Sequence, residues 1–268
     1  MNHEVEKFYR IEVEPRIDQI KKELEKELEE RSTVWKKQFL LEFKEICKEA
    51  KEYYMNQENE QCFLLFHLLR TRILDHNYQY QVRIYNQEWY LEDGRYVGDF
   101  NVEFVYDQYE KLWNELMNER LKYVKKISES DVRFIMMETI REFHQFIVCF
   151  LRENINEAIH MEEYKSLTFG DRLEIKVGEY LEIGDFVFID QKNKDYEKLM
   201  VWLDEEKEGD EYTFEDFREI ELRDKNYSNL DLRYADFSKA KFSNVIFSNC
   251  RLEGTRFDGC NMEQVRFD

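Results

Sequence analysis

Residues 235–268 read in fives as ADFSK, AKFSN, VIFSN, CRLEG, TRFDG, CNMEQ and VRFD. The first place holds Ala235, Ala240, Val245, Cys250, Thr255, Cys260 and Val265, none of them large. The third holds Phe237, Phe242, Phe247, Leu252, Phe257, Met262 and Phe267, all large and apolar. A fixed short period is a fold-level signal: each unit buries its apolar face only against its neighbours, so the units must stack. Looser units run backward through Leu230 and Leu232, Lys225 and Tyr227, and Ile220 and Leu222.

The pattern resembles the pentapeptide-repeat family, whose repeat is A(D/N)LXX. The clear resemblance spans 34 residues, and about 50 with the looser units. It implies a right-handed quadrilateral β-helix, one repeat to a side and four to a coil. Residues twenty apart then stack: Phe237 over Phe257, Phe242 over Met262, Phe247 over Phe267, Leu232 over Leu252. The small places stack likewise, Ala235 over Thr255, Ala240 over Cys260 and Val245 over Val265. Outside, Asp231 meets Arg251, Asp236 meets Arg256 and Arg233 meets Glu253. Exposed pairs of that kind contribute only about 0–1 kcal/mol each, so the stacked aromatics are expected to hold the fold. So short a stack needs both ends covered. The preceding helical domain is expected to cap its N-terminal end. With Asp268 inside a repeat, the C-terminal coil is expected to expose Met262, Phe267 and an open strand edge, which favours a contact with a second copy.

The rest of the chain reads as helix-rich, giving an α+β protein. Its expected domains are a helix-rich acidic domain over 1–212 with small antiparallel hairpin elements, and the repeats over 213–268. From Arg16 the apolar residues Ile17, Ile20, Leu24, Leu28, Trp35, Phe39 and Phe43 fall at helical spacing, with Pro15 just before. Glu58 to Leu74 reads as a second helix. Tyr78, Tyr80, Val82 and Ile84 alternate with polar residues as a strand, Glu88 to Glu92 reads as another, and Asp93-Gly94 suits a hairpin turn. Tyr106 to Lys126 and a stretch ending near Ile159 return to helix, the second capped by Ser128 or Ser130. Short strands follow around Leu173–Val177 and Phe186–Ile189, then a helix over Tyr196–Leu203.

The net charge of -19 repels nucleic acid and anionic membranes and permits a basic protein partner. Cys47, Cys62, Cys149, Cys250 and Cys260 form no CxxC pair, which argues against a zinc site or a disulfide framework. The charged N-terminus lacks a signal-peptide pattern, and a cytoplasmic location is expected. No catalytic, cofactor or metal site is assigned. His3, His67, His76, His144 and His160 are scattered; His144 shares a helix with Glu138 and Glu142 and is assigned to packing. Asp204, Glu206, Glu208, Gly209 and Glu215 fall at EF-hand-like places, but Glu211 occupies the apolar eighth place, so a solvated turn is the reading. Cys250 and Cys260 are expected to be inert packing.

These readings point to a non-enzymatic interaction protein with a protein partner and no cofactor. The repeat surface is its binding face, and a homodimer through the C-terminal coil is expected. The family suggests an alternative, a DNA mimic that binds a type II topoisomerase such as gyrase; a third reading is an enzyme within 1–212. Residues 213–268 hold 11 acids and 9 bases, so most of the negative charge lies before them. A phosphate mimic needs it on the rod.

Overall fold

The computed structural model describes residues 3–54, 61–91, 94–124, 126–207, 209 and 211–268. They fall into two compact units, Met1–Thr168 with Lys176–Asp185, and Phe169–Ile175 with Phe186–Asp268. The second unit therefore takes in chain ahead of residue 213, where the repeats were expected to begin a domain.

In the first unit, α1 (His3–Phe8) continues through a π-helical turn (Tyr9–Val13) into α2 (Glu14–Tyr54). Pro15 thus lies inside a helical run and not ahead of one. A proline ring presses on the carbonyl four residues back, here Ile11, and the wider turn falls at that point. On α2 the apolar stripe Ile17, Leu24, Trp35, Phe39, Phe43 and Ile46 is buried as the spacing predicts.

The segment read as a second helix is instead β1 (Gln61–Leu68) followed by the single turn α3 (Arg70–Leu74). Leu64, Leu65, Phe66, His67 and Leu68 are all buried, so the strand is covered on both faces and loses the alternation that marks a strand. Residues 55–60 lie outside the described residues. β2 (Gln79–Asn86) pairs antiparallel with β1 and with β3 (Arg95–Asn101). The expected strand at Glu88–Glu92 is a 3-10 turn, Trp89–Leu91, and Glu92 and Asp93 are not described. Gly94 takes the left-handed conformation expected of that turn (φ 57°), with the Tyr85 ring against the place a side chain would need.

Next come α4 (Glu103–Glu119), a 3-10 turn (Arg120–Tyr123), α5 (Glu129–Ile159) and α6 (Glu162–Lys165). Ser128 caps α5: its side chain accepts from Asp131 N, while Asp131 accepts from Ser128 N. Of β4 (Arg172–Glu179), residues 176–179 belong to this unit, where the sheet order is β3-β2-β1-β4. Phe39, Phe66, Phe100 and Phe150 knit helices to sheet, with Phe39–Phe100 centroids 5.5 Å apart and Phe66–Phe100 5.6 Å, both edge-to-face. Among the described residues no helix is long and apolar enough to cross a membrane.

In the second unit, residues 172–175 of β4 lie beside β5 (Asp185–Gln191), and α7 (Tyr196–Leu203) follows with Asp195 as its N-cap. β6 (Glu221–Ser228), β7 (Lys241–Ser248), β8 (Asn261–Glu263) and β9 (Arg266–Phe267) then pair in parallel. The offset is twenty residues throughout: Leu222 with Phe242, Phe242 with Met262, Phe247 with Phe267. Backbone turns through the left-handed region at Phe214, Glu219, Asp224, Asn229, Tyr234, Lys239, Asn244, Asn249, Gly254, Gly259 and Gln264, one corner in every five residues. The apolar centre is a ring ladder, with Phe217–Phe237 at 4.9 Å, Phe237–Phe257 at 5.6 Å and Phe247–Phe267 at 5.5 Å, all stacked. The N-terminal cap is local: Leu203 is buried in this core, Leu199, Met200 and Trp202 pack on it, and Trp202 stacks on Phe217.

Two outcomes follow from this packing. Phe247 is 1% exposed between Tyr227 and Phe267, so Phe247→Asp buries a charge with no partner and should cost about 3 kcal/mol or more. Thermal melting with an unchanged midpoint would refute the ladder. In the first unit, burial and the nearby Arg83 charge lower the His67 pKa from its ordinary 6.5 to about 4, and burial lowers that of His144. The unfolded chain therefore binds more protons than the folded one below pH 6.5. Stability is complete above that pH and should fall on acidification, by at most about 1.4 kcal/mol per pH unit per histidine. Urea midpoints between about pH 7 and 5, above the carboxylate range, check this; His67→Gln should flatten the slope.

Candidate functional site

On an extended segment the second and fourth places of a repeat flank the inward third place and point the same way, outward. The structure uses that pairing repeatedly. Arg218 donates to Asp216 at 2.6 Å, Arg233 to Asp231 at 2.7 Å, and Arg223 pairs with Glu221. Aspartates at the second place also accept backbone N–H groups two residues on: Arg218 N to Asp216, Arg233 N to Asp231, Ser238 N to Asp236. The rung-to-rung pairs are also present, Arg251–Asp231 at 3.3 Å and Arg256–Asp236 at 3.4 Å. Arg233 differs from the expectation of a pair with Glu253, because Asp231 holds its guanidinium.

The coils are covered unequally. Along Phe217 and Phe237, residues of β5 and the segment after it lie on the outside. Lys194 pairs with Asp216, whose side chain is 2% exposed, and Arg218 reaches Asp190 at 2.7 Å. Burial alone would raise the Asp216 pKa, but hydrogen bonding and charge from Arg218, with the Lys194 charge, hold it below the usual carboxylate range. Glu215 is engaged by Arg172 at 3.2 Å. The outward residues of β6, β7 and β9 have a different character. Asn226 and Arg266 are exposed, Ser228, Ile246 and Ser248 are half-buried, and the corners Asn229, Asn244 and Asn249 are exposed.

The inward residues named from sequence form a gradient along the stack. Ala235, Phe237, Ala240, Phe242, Val245 and Phe247 are buried. Cys250, Leu252, Thr255, Phe257, Cys260 and Val265 are half-buried, and Met262 and Phe267 are 43% and 47% exposed. Three first-place residues do more than fill space. Thr255 donates its hydroxyl to the Leu232 carbonyl at 2.7 Å, Cys260 its thiol to that of Phe237 at 2.9 Å, and Cys250 lies 3.7 Å from that of Tyr227. Each reaches a carbonyl 23 residues earlier, a regularity that the alanines at this place cannot show. Burial raises the pKa of both thiols, which keeps them unreactive.

Among the described residues of the EF-hand-like stretch, the carboxylates are directed to other partners. Asp204 is spent on Lys225 and Tyr227, Glu206 reaches Ser228, Glu215 faces Arg172, and Glu208 is outside the described residues. Among the described residues no group of three His, Cys, Asp or Glu is placed to hold a metal ion. His144 packs, as expected, but on Tyr80 rather than near Glu138 or Glu142.

Compared with known proteins, the C-terminal segment matches the family model for pentapeptide repeats, with eight copies over residues 216–249 and 226–264. No curated protein and no solved structure matches the chain.

Lys239 is an exposed corner with φ 61°, a conformation that costs most L-residues about 1–2 kcal/mol and that asparagine tolerates. Lys239→Asn should therefore raise the stability of the second unit, by up to about 1 kcal/mol. A lower denaturation midpoint would show that the corner is not under strain.

Proposed function

We propose that the C-terminal coils are a right-handed quadrilateral β-helix serving as a docking surface for a protein partner, and that the chain acts by binding and not by catalysis. The handedness is carried by the family resemblance. The twenty-residue offset and the corner in every five residues support four sides to a coil. The observation that carries the docking reading is the unequal covering. One side of the coils is held under β5 and its following segment by ion pairs. The side that runs through residues 226–228, 246–248 and 266–268 presents Asn226, Ser228, Ile246, Ser248 and the asparagine corners, with its exposed charges, Arg266 and Asp268, on the final rung. Ahead of that rung such a face can be desolvated without stripping ions of their water, which suits a protein contact.

A topoisomerase-directed DNA mimic is the weaker reading. Residues 213–268 carry nearly balanced charge, 11 acids against 9 bases, and the in-rung pairs neutralise Asp216, Asp231 and Glu221 where they stand. A second contact is proposed at the last rung, where the edges of β8 and β9 away from β7 pair with nothing among the described residues. Met262 and Phe267 are the apolar centre of a two-fold contact between copies. The five cysteines are free thiols, which suits a reducing compartment such as the cytoplasm.

Affinity capture from the source cell tests the docking face. A partner retained by the wild type should be lost with Ile246→Arg/Ser248→Arg and kept with Lys22→Glu, on exposed helix surface. Equal loss in both variants would place the contact elsewhere, and inhibition of gyrase supercoiling by the purified chain would favour the mimic. For the copy-to-copy contact, sedimentation should show a dimer at tens of micromolar, roughly the range of a weak interface, and a monomer with Phe267→Arg. A wild-type monomer at that concentration refutes it.

A further inference from the structure

The first unit contains a cavity of 290 Å³ lined by Leu68, Arg141, His144, Gln145, Gly178, Glu179, Glu182, Gly184 and Asp185. One wall is α5, where Arg141, His144 and Gln145 stand three and four residues apart and so share a face. The other is the turn that joins β4 to β5. That turn is drawn tight by two glycines: a side chain on Gly178 would come within 2.5 Å of Gly184 Cα, and Gly184 has φ 67°.

His144 is 6% exposed and stacks on Tyr80, whose hydroxyl lies 2.9 Å from Nδ1. Tyr80 is in turn 2.9 Å from the Tyr106 hydroxyl, and both tyrosines are fully buried. Only one direction along this chain leaves no buried hydroxyl proton without an acceptor. Tyr106 donates to Tyr80, and Tyr80 donates to Nδ1. The network thus assigns the proton of a neutral His144 to Nε2, which has no hydrogen-bond partner among the described residues, on a side chain that lines the cavity. Arg141 and Gln145 likewise have no ion pair or side-chain hydrogen bond there, so the α5 wall offers three sets of unused donors.

The turn wall is the reverse. Glu179 is held by Arg70 through two 2.6 Å bonds, and Asp185 stands 3.7 Å from Arg152. The Glu182 carboxylate is exposed and unpaired among the described residues. The acidic wall has no metal-binding trio. Donors face acceptors across a space just under the roughly 300–1,000 Å³ range of drug-sized pockets, which fits a much smaller molecule with a charge of each sign.

We propose that this cavity binds a small zwitterion of the amino-acid class, its carboxylate on Nε2 of His144 and the Arg141 guanidinium, its ammonium on Glu182 and Asp185. The buried hydroxyl chain holds Nε2 as a donor before the ligand arrives, so little ordering is left to binding. Both walls are needed, because either end alone leaves the opposing charges unmatched.

The full-length chain, labelled with ¹⁵N-histidine, tests this against a panel of the common L-amino acids, with acetate and methylammonium as single-charge controls. At least one amino acid should shift the His144 Nε2 signal with Kd at or below about 1 mM, and both controls should bind at least about tenfold more weakly. Arg141→Ala and Glu182→Gln, both at exposed side chains, should each weaken that amino acid about tenfold or more in calorimetry with the melting temperature unchanged. The proposal is overturned if no panel member shifts the signal at about 10 mM, if acetate binds as tightly as the best amino acid, or if neither substitution changes the affinity.

Discussion

Every fifth residue of the repeat segment turns through a left-handed backbone conformation, and the second unit depends on that corner. The corners recur every five residues, and the parallel strands pair at an offset of twenty, a whole number of corner intervals. The corner is unfavourable for most L-residues, by about 1–2 kcal/mol. Asp224, Asn229, Asn244, Asn249, Gly254 and Gly259 reduce that cost, whereas Phe214, Glu219, Tyr234, Lys239 and Gln264 bear it. Bonds between rungs offset it. The corner N–H of Glu219 donates to Ser238 O, Tyr234 to Glu253 O and Lys239 to Asp258 O, each nineteen residues on. At one corner the side chains contribute too: Phe214 stacks on Tyr234 at 4.9 Å, and the Tyr234 ring lies over Gly254, where no side chain would fit.

With the offset fixed, identical places meet, and the chemistry of each place is repeated or answered one rung away. Large third places give a continuous ring ladder. First places give either a small apolar contact or, where Thr255, Cys250 and Cys260 stand, a donor to a carbonyl below. Outward places give charge pairs within a rung and between rungs. The ladder has to begin against something, and α7 supplies Leu203, Trp202 and their neighbours as the first layer. The cap is therefore a single short helix two turns long, joined directly to the coils by residues 204–212.

What the sequence discloses follows from how local the cause is. Ser128 with Asp131, the Tyr196–Leu203 helix and the period of five are fixed by neighbours along the chain, and each stands where its residues place it. β1 is fixed by neighbours on both faces. Its run Cys62-Phe-Leu-Leu-Phe-His-Leu68 is apolar but for His67, and so short a run with one polar residue has no period to separate strand from helix. The strand expected at Glu88–Glu92 failed for a related reason, since Trp89 and Tyr90 carry strand propensity whether or not a partner strand exists. The paired carboxylates and guanidiniums two residues apart were legible in principle, because the inward third place already fixes both flanks. The Lys194–Asp216 and Arg218–Asp190 contacts were not, as they join segments more than twenty residues apart with no periodic relation. His144 shows the same limit. Its helix was evident, but its meaning depends on Tyr80 and Tyr106, 64 residues and one hydrogen bond further away.

The two units handle buried polarity by different means. The coils satisfy backbone groups by repetition, so donor after donor finds its acceptor nineteen or twenty-one residues away. The helical unit has no repeat to rely on and satisfies its interior singly: Tyr109 to the Met136 carbonyl, Thr139 to the same carbonyl, His67 to Tyr85, Asn154 to Phe150. Repetition also localises damage, because one altered rung leaves the others in place. A singly built interior is suited to holding one unmatched group in a fixed orientation, as the hydroxyl chain holds His144. Repetition in one unit and single bonds in the other are two physical routes to the same end, a buried polar group with a partner.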